Sequence, residues 1–286
     1  MKKLFFLFLL SSFGIKAQTY HINDFSKEYA AVIITDEKDP EKQTLKIIEN
    51  KSQKPLIKVL VSLDKYDFED TKSNIREIPY GHQSIIIYDD FNFDGKKDLA
   101  IKYGNESCYS GPSYNVYLYQ KNSFIRSAAF SDLAQNYCGF FGIDPKNKEL
   151  HTMTKSGCCW HQYSDFTIKN NKPFLIHQVE EALHPSGLYF EINVKTFKNG
   201  KYVNKGKNII SNEEDLKEMM VMSYLLENGK KMYLLNNGAP HLYYFLTKSD
   251  GEIEFQFDGT FYYSKKDNSL SFSNPSASYN IFNDRI

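Results

Sequence analysis

The chain has 286 residues, with 35 Lys plus Arg against 35 Asp plus Glu, and 41% of it is hydrophobic. That length holds one large domain or two small ones. The balanced charge lacks the basic surplus of a nucleic-acid binder, and the apolar content excludes wholesale disorder. Twenty-one Tyr and 22 Phe stand against a single Trp; such rings fit a pleated surface and favour strands, so collagen, coiled-coil and multi-span membrane classes are excluded as well.

Met1-Lys2-Lys3 is a short basic segment and Leu4 to Leu10 an unbroken apolar run, followed by Ser11 through Gln18. The run is too short to span a bilayer, which takes about 20 apolar residues. Residues 1–17 therefore read as a signal peptide cleaved after Ala17, and the mature chain as periplasmic or secreted. Cleavage removes three lysines and leaves a net charge of about −3. No later segment is long and apolar enough to cross a membrane.

The mature chain then reads as strands almost throughout. Tyr29 to Ile34 is β-rich, Thr44 to Ile48 alternates, and a turn at 50–55 leads to Leu56–Val61. Residues 62–80 are polar and irregular. Gln83–Tyr88 is apolar and enters an acidic loop, out of which Leu99–Tyr103 emerges. Tyr114–Tyr119 turns at Gln120-Lys121-Asn122-Ser123 into a strand from Phe124. Glu149–Thr154, Gln162–Ile168 and Pro173–Val179 form a meander with Asn170-Asn171 at one corner. Short strands at this spacing predict a mainly β protein, propeller-like or a sandwich.

Charge, His184-Pro185 and Gly187 mark a boundary, dividing the mature chain into domains 18–183 and 184–286. In the second, Tyr189–Phe197 meets Asn199-Gly200, a strong hairpin signal. Ser211 as N-cap, Glu214 three residues on, and Leu216, Met219, Met220 and Ser223 on one face predict a helix near 212–227, stopped by Asn228-Gly229. Leu242 to Phe282 is again a meander.

Export decides how the cysteines read. Cys108, Cys138, Cys158 and Cys159 are an even, clustered set, as in a pair of disulfides. Cys158 and Cys159 are adjacent in an expected strand and so point to opposite faces. Each is expected to pair with a different partner, one with Cys108 and the other with Cys138, in either order. The competing reading, zinc held by these thiols with His161, lacks a Cys-x-x-Cys pair.

The acidic loop carries the clearest chemistry. With Asp90 as position 1, oxygen-bearing side chains fall at positions 1, 3, 5 and 9: Asp90, Asn92, Asp94 and Asp98. Gly95 at position 6 permits a sharp turn, and Lys96 at position 7 offers its carbonyl. Calcium takes six to eight oxygens, and this alternation supplies most of them from one loop. Position 12 is Ile101 and not glutamate, and the flanks are strands, so the expectation is a weak calcium site between strands. The alternative is an Asx-rich hairpin loop without metal.

The stretches YDDFNFDGKKDLAIKYG, SYNVYLYQKNSFIRS and IDPKNKELHTMTKSGCCWHQYSDFTIKNNKPFLIHQVEE, in that order, resemble a family of bacterial periplasmic calcium-binding proteins. The likeness spans residues 36–181. It implies a small calcium-binding β-propeller-like fold and, for some members, inhibition of lysozyme-type peptidoglycan hydrolases. It carries Asp90, Asn92, Asp94, Lys96 and Asp98 over as the calcium site and Asp144 and Asn147 as a turn. An exposed glutamine that the family places after an early apolar pair is missing from Pro55-Leu56-Ile57-Lys58.

The expected function is binding, with no catalytic residues. There is no Gly-x-Ser-x-Gly elbow, His-Glu-x-x-His or phosphate loop, and the seven histidines are scattered. The loop Asn105–Ser113 offers Glu106 and Tyr109 as partner contacts, Tyr being a residue type enriched at interface hot spots. A secreted carbohydrate- or surface-binding module is the alternative, and a hydrolase a more distant one.

Overall fold

The computed structural model describes residues 18–35, 42–64, 66–69, 71–75, 84–238 and 242–282. The expected signal peptide lies outside the described residues. Two compact units emerge. The first holds the described residues up to Thr154 together with Tyr163–Ile176, and the second Lys155–Gln162 with the described residues from His177 onward.

The protein is mainly β, built from antiparallel sheets with few helical turns. In the first unit β1 (Thr19–Ile22), β2 (Tyr29–Thr35), β3 (Gln43–Glu49) and β4 (Pro55–Val61) pair in sequence order. Ala31, Ile33, Leu45 and Ile47 face inward and are fully buried, as period-two alternation requires. Gln43 shares that inward face. Its amide is satisfied on both sides, Nε2 donating to Leu63 O at 3.2 Å and Oε1 accepting from Leu63 N at 2.8 Å.

After a single helical turn, α1 (Tyr66–Glu69), a second sheet runs β5 (Ile86–Asp89), β6 (Asp98–Ser107), β7 (Gly111–Gln120) and β8 (Ser123–Arg126). It is buried on both faces. Ile86, Leu99 and Ile101 join the core of the first sheet. Ile87, Ala100, Val116 and Leu118 join a second core with Phe91, Phe130, Phe140 and Phe141. Double burial explains the unbroken apolar runs Ile85-Ile86-Ile87 and Leu99-Ala100-Ile101. Phe130 comes from a short helix, α2 (Ala128–Leu133), in a segment where a strand is expected to run on from Phe124.

Next come β9 (Gly142–Asp144), β10 (Glu149–Ser156), β11 (Trp160–Lys169), β12 (Lys172–Leu183), β13 (Tyr189–Lys198) and β14 (Lys201–Ile210), each paired with its chain neighbour. Residues of β10, β11 and β12 are divided between the two units. Asn170-Asn171 and Asn199-Gly200 both turn with positive φ at each central residue, the conformation of a tight type I′ hairpin. The polar segment 180–187 is the end of β12 and the turn into β13, closed by His184 N donating to Tyr189 O at 2.8 Å.

The expected helix at 212–227 is corrected. Only α3 (Glu213–Leu216) and a 3-10 turn at Lys217–Met219 form. β15 (Met220–Leu225) then pairs with β16 (Lys231–Asn236). The cap is Asn212, whose Oδ1 accepts from Glu214 N at 3.1 Å, while Ser211 Oγ bonds Gly187 O. Met and Leu favour a helix intrinsically, but the ladder to β16 satisfies the same backbone and buries the same apolar side chains against Leu235 and Tyr233. β17 (Leu242–Thr247) and β18 (Ile253–Phe257) complete that sheet. A three-stranded sheet follows: β19 (Tyr262–Ser264), β20 (Ser269–Asn274) and β21 (Ala277–Ile281).

Candidate functional site

The loop between β5 and β6 is folded by its own side chains. Asp90 accepts from Asp94 N at 3.1 Å and Gly95 N at 2.8 Å, and Asp94 accepts from Lys96 N at 2.9 Å. Gly95 has φ +86°, which a side chain would strain. Asn92 lies mostly buried and donates to Asp94 Oδ2 at 3.1 Å and Asn171 Oδ1 at 2.8 Å. Asn171 sits 79 positions away in the β11–β12 turn; the sequence shows it only as a turn residue.

Asp98 is fully buried at the base of the loop. Its two oxygens accept from Phe91 N at 3.0 Å and Tyr119 N at 2.8 Å, tying the loop to β7. Burial pushes its carboxyl up from 3.8 to about 7. The two backbone N–H groups oppose that rise, and the nearby Asp94 and Asp90 charges add to it. Lys96 and Lys97 turn their ammonium groups toward the Tyr119 and Tyr88 rings, at 5.8 and 5.5 Å from the ring centroids.

The structure thus gathers Asp90, Asn92 and Asp94 along one turn and roots Asp98 beneath it. Hard oxygens of this kind suit calcium chemically. Among the described residues no group of three or more His, Cys, Asp or Glu side chains is arranged to hold a metal.

The far end of β6 carries the second feature. Tyr109 is 55% exposed at the tip of the loop into β7. It and Ser110 both have left-handed backbones, φ 55° and 58°, which costs a non-glycine residue about 1–2 kcal/mol. The loop is held from below. Cys108 bonds Cys138, Ser107 Oγ donates to Tyr137 O and accepts from Gly139 N, and Gly111 N closes on Cys108 O. Glu106 accepts from Tyr103 OH at 3.1 Å, and its N–H donates to Ser113 Oγ at 2.7 Å.

The expected disulfide pairing is corrected. Cys158 bonds Cys159, and neither reaches Cys108 or Cys138. The two adjacent cysteines lie in the turn between β10 and β11, after Gly157 with φ +64°. Strand alternation therefore does not separate their side chains. All four thiols are consumed in disulfides, which leaves none for zinc. His161 lies 4.0 Å from Glu181, and Trp160 Nε1 donates to Glu180 at 2.9 Å. Asp144 forms the expected turn with Asn147, accepting from its backbone and side-chain N–H groups, which hold its carboxyl below the usual range.

No family model matches the chain, and no curated protein is significantly similar to it. A solved structure of a Xanthomonas type IV secretion system related protein is similar in fold. It shares 21% identity with a TM-score of 0.51, over 67% of this chain and 93% of that one. No described helix is long and apolar enough to cross a membrane.

Proposed function

We propose that this is an exported, calcium-braced binding protein that inhibits a lysozyme-type peptidoglycan hydrolase through the loop Asn105–Ser113. The observation that carries the reading is Tyr109. It is an exposed aromatic kept in a costly backbone conformation by a disulfide and the buried Ser107. Backbone strain of this kind persists where the surroundings impose it and is concentrated at functional sites. A preformed loop also loses little entropy on entering a cleft.

Calcium belongs to the same reading, held by Asp90, Asn92, Asp94, the Lys96 carbonyl and Asp98, whose oxygens also brace the loop. An ion there would offset the negative field that Asp90 and Asp94 impose on Asp98. The up-and-down meanders β1–β4 and β5–β8 have the strand order of propeller blades, in keeping with the family resemblance. The neighbour's relation to a secretion system accords with a place outside the cytoplasm.

The test is inhibition of a panel of lysozymes by the mature protein, with and without chelator. Tyr109→Ala should weaken inhibition about tenfold, a loss of about 1.4 kcal/mol, without lowering the melting temperature. No inhibition of any lysozyme at micromolar concentration refutes the function.

A further inference from the structure

The second unit contains a recess of about 180 Å3 that the hydrolase-binding loop does not use. Tyr243 and Phe245, two apart on β17, share one face, with near-parallel rings 6.3 Å apart. Phe245 pairs with Gln256 across to β18, and Asp258, just past the end of that strand, also lines the recess. Tyr189, at the start of β13, packs edge-on against Phe245, with centroids at 5.9 Å and planes inclined at 63°. His184 stacks on Tyr189 at 4.3 Å. Its Nδ1 lies 3.2 Å from Ser186 N and 2.9 Å from Ser186 Oγ.

We propose that this recess binds an alkylammonium group, either the head of a small quaternary amine or the side-chain end of a lysine. Buried Tyr189 and Phe245 form its floor, and the exposed Gln256 and Asp258 stand at its rim. Ring faces carry negative quadrupole charge and attract cations, most strongly where water is excluded. The Asp258 carboxylate adds a full negative charge, and no lysine or arginine is among the residues lining the recess. The field at Tyr189 has the same sign. Burial is the main cause that raises its hydroxyl above 10.0, and Glu191 and Asp258 add to the rise against a hydrogen bond from Gln256. The mutual inclination of Tyr189 and Phe245 makes a box, where a sugar ring would be served by a flat, open platform.

The test is calorimetric titration of the full mature chain with choline, with an Nα-acetylated lysine amide, and with 3,3-dimethylbutanol, the neutral carbon analogue of choline. Saturable binding of choline or of the lysine amide is expected, whichever is tighter naming the source of the group, and the neutral alcohol should bind at least about tenfold more weakly. Tyr243→Ala should weaken binding about tenfold. Asp258→Asn, at an exposed position, should do so without affecting folding. The proposal is overturned if neither cation binds at millimolar concentration, if the neutral alcohol binds as tightly, or if Asp258→Asn leaves affinity unchanged. Saturable binding of N-acetylglucosamine with no binding of either cation overturns it in favour of a sugar site.

Discussion

The two disulfides close loops of very different length, and their removal should have very different consequences. Cys108 and Cys138 are 30 residues apart in sequence, whereas Cys158 and Cys159 are neighbours. Chain entropy gives a crosslink over a loop of that longer size about 3.6 kcal/mol. For adjacent residues the same expression falls to about 1 kcal/mol. Cys108→Ser/Cys138→Ser should therefore lower the melting temperature of the first unit by about 7–14 °C, taking about 2–4 °C per kcal/mol for a unit of this size. Cys158→Ser/Cys159→Ser should shift melting by no more than a few degrees. Calorimetry on the unreduced variants reads both. A tryptic map settles the pairing, since cleavage after Lys121 and Arg126 separates Cys108 from Cys138. Unreduced, those two peptides should run as one linked species. Cys158 and Cys159 should appear in a single peptide, lighter by two hydrogens than its reduced form. Equal destabilisation by the two double variants, or a Cys108–Cys159 peptide, refutes the reasoning.

If calcium occupies the β5–β6 loop, a concentration 100 times its dissociation constant adds about 2.7 kcal/mol; chelator should lower the melting temperature of the wild type and barely move that of Asp94→Ala, so equal shifts in both defeat the assignment. The buried Lys102 ammonium lies 2.5 Å from Asp67, with side chains only 7% and 9% exposed. Lys102→Met should cost about 3–5 kcal/mol by leaving a buried charge unpaired. Adding Asp67→Asn should recover part of that loss in urea melts, and simple additivity contradicts the account. Lys231 and Tyr233 hold the Glu213 carboxyl below 4.5 through hydrogen bonds. The depressed value means that the unfolded chain takes up a proton first as pH falls. The stabilisation is therefore complete above the ordinary carboxylate range and is lost below it. Wild type and Glu213→Gln should differ in melting at neutral pH and converge in acid, by a small margin because Glu213 is half exposed.

Much of the fold is legible because its signals are local. Leu45 and Ile47 declare an inward face by alternation, and Asn199-Gly200 and Asn170-Asn171 announce hairpins because Asn and Gly tolerate the positive φ those turns require. The acidic loop is legible for the same reason, its spacing being set by one turn of backbone. What escaped depends on distant partners. Met220–Leu225 mixes helix-favouring Met and Leu with strand-favouring Val and Tyr, and pairing with β16 decides for the strand. Cys158 and Cys159 read as strand residues until Gly157 places them in a turn. The Asn92–Asn171 bond joins residues 79 apart, and neither side chain carries a mark of the other.

The acidic loop and the Tyr109 loop lie at opposite ends of β6, Asp98 beginning the strand and Ser107 ending it. At about 3.3 Å per residue the strand separates them by about 30 Å, well beyond a Debye length of about 8 Å at physiological salt. A cation at the first loop therefore cannot steer a partner at the second by its charge. It can act only through the integrity of the sheet that joins them, in which Ile86, Leu99, Ile101 and Val116 are fully buried. Stability and inhibition should then separate cleanly. Below the melting transition of the metal-free protein, chelator should leave the inhibition constant unchanged while lowering the temperature at which inhibition is lost. A fall in affinity at temperatures where the metal-free protein is still folded would mean that the ion touches the partner, and the binding surface would have to move from Tyr109 to the acidic end of the strand.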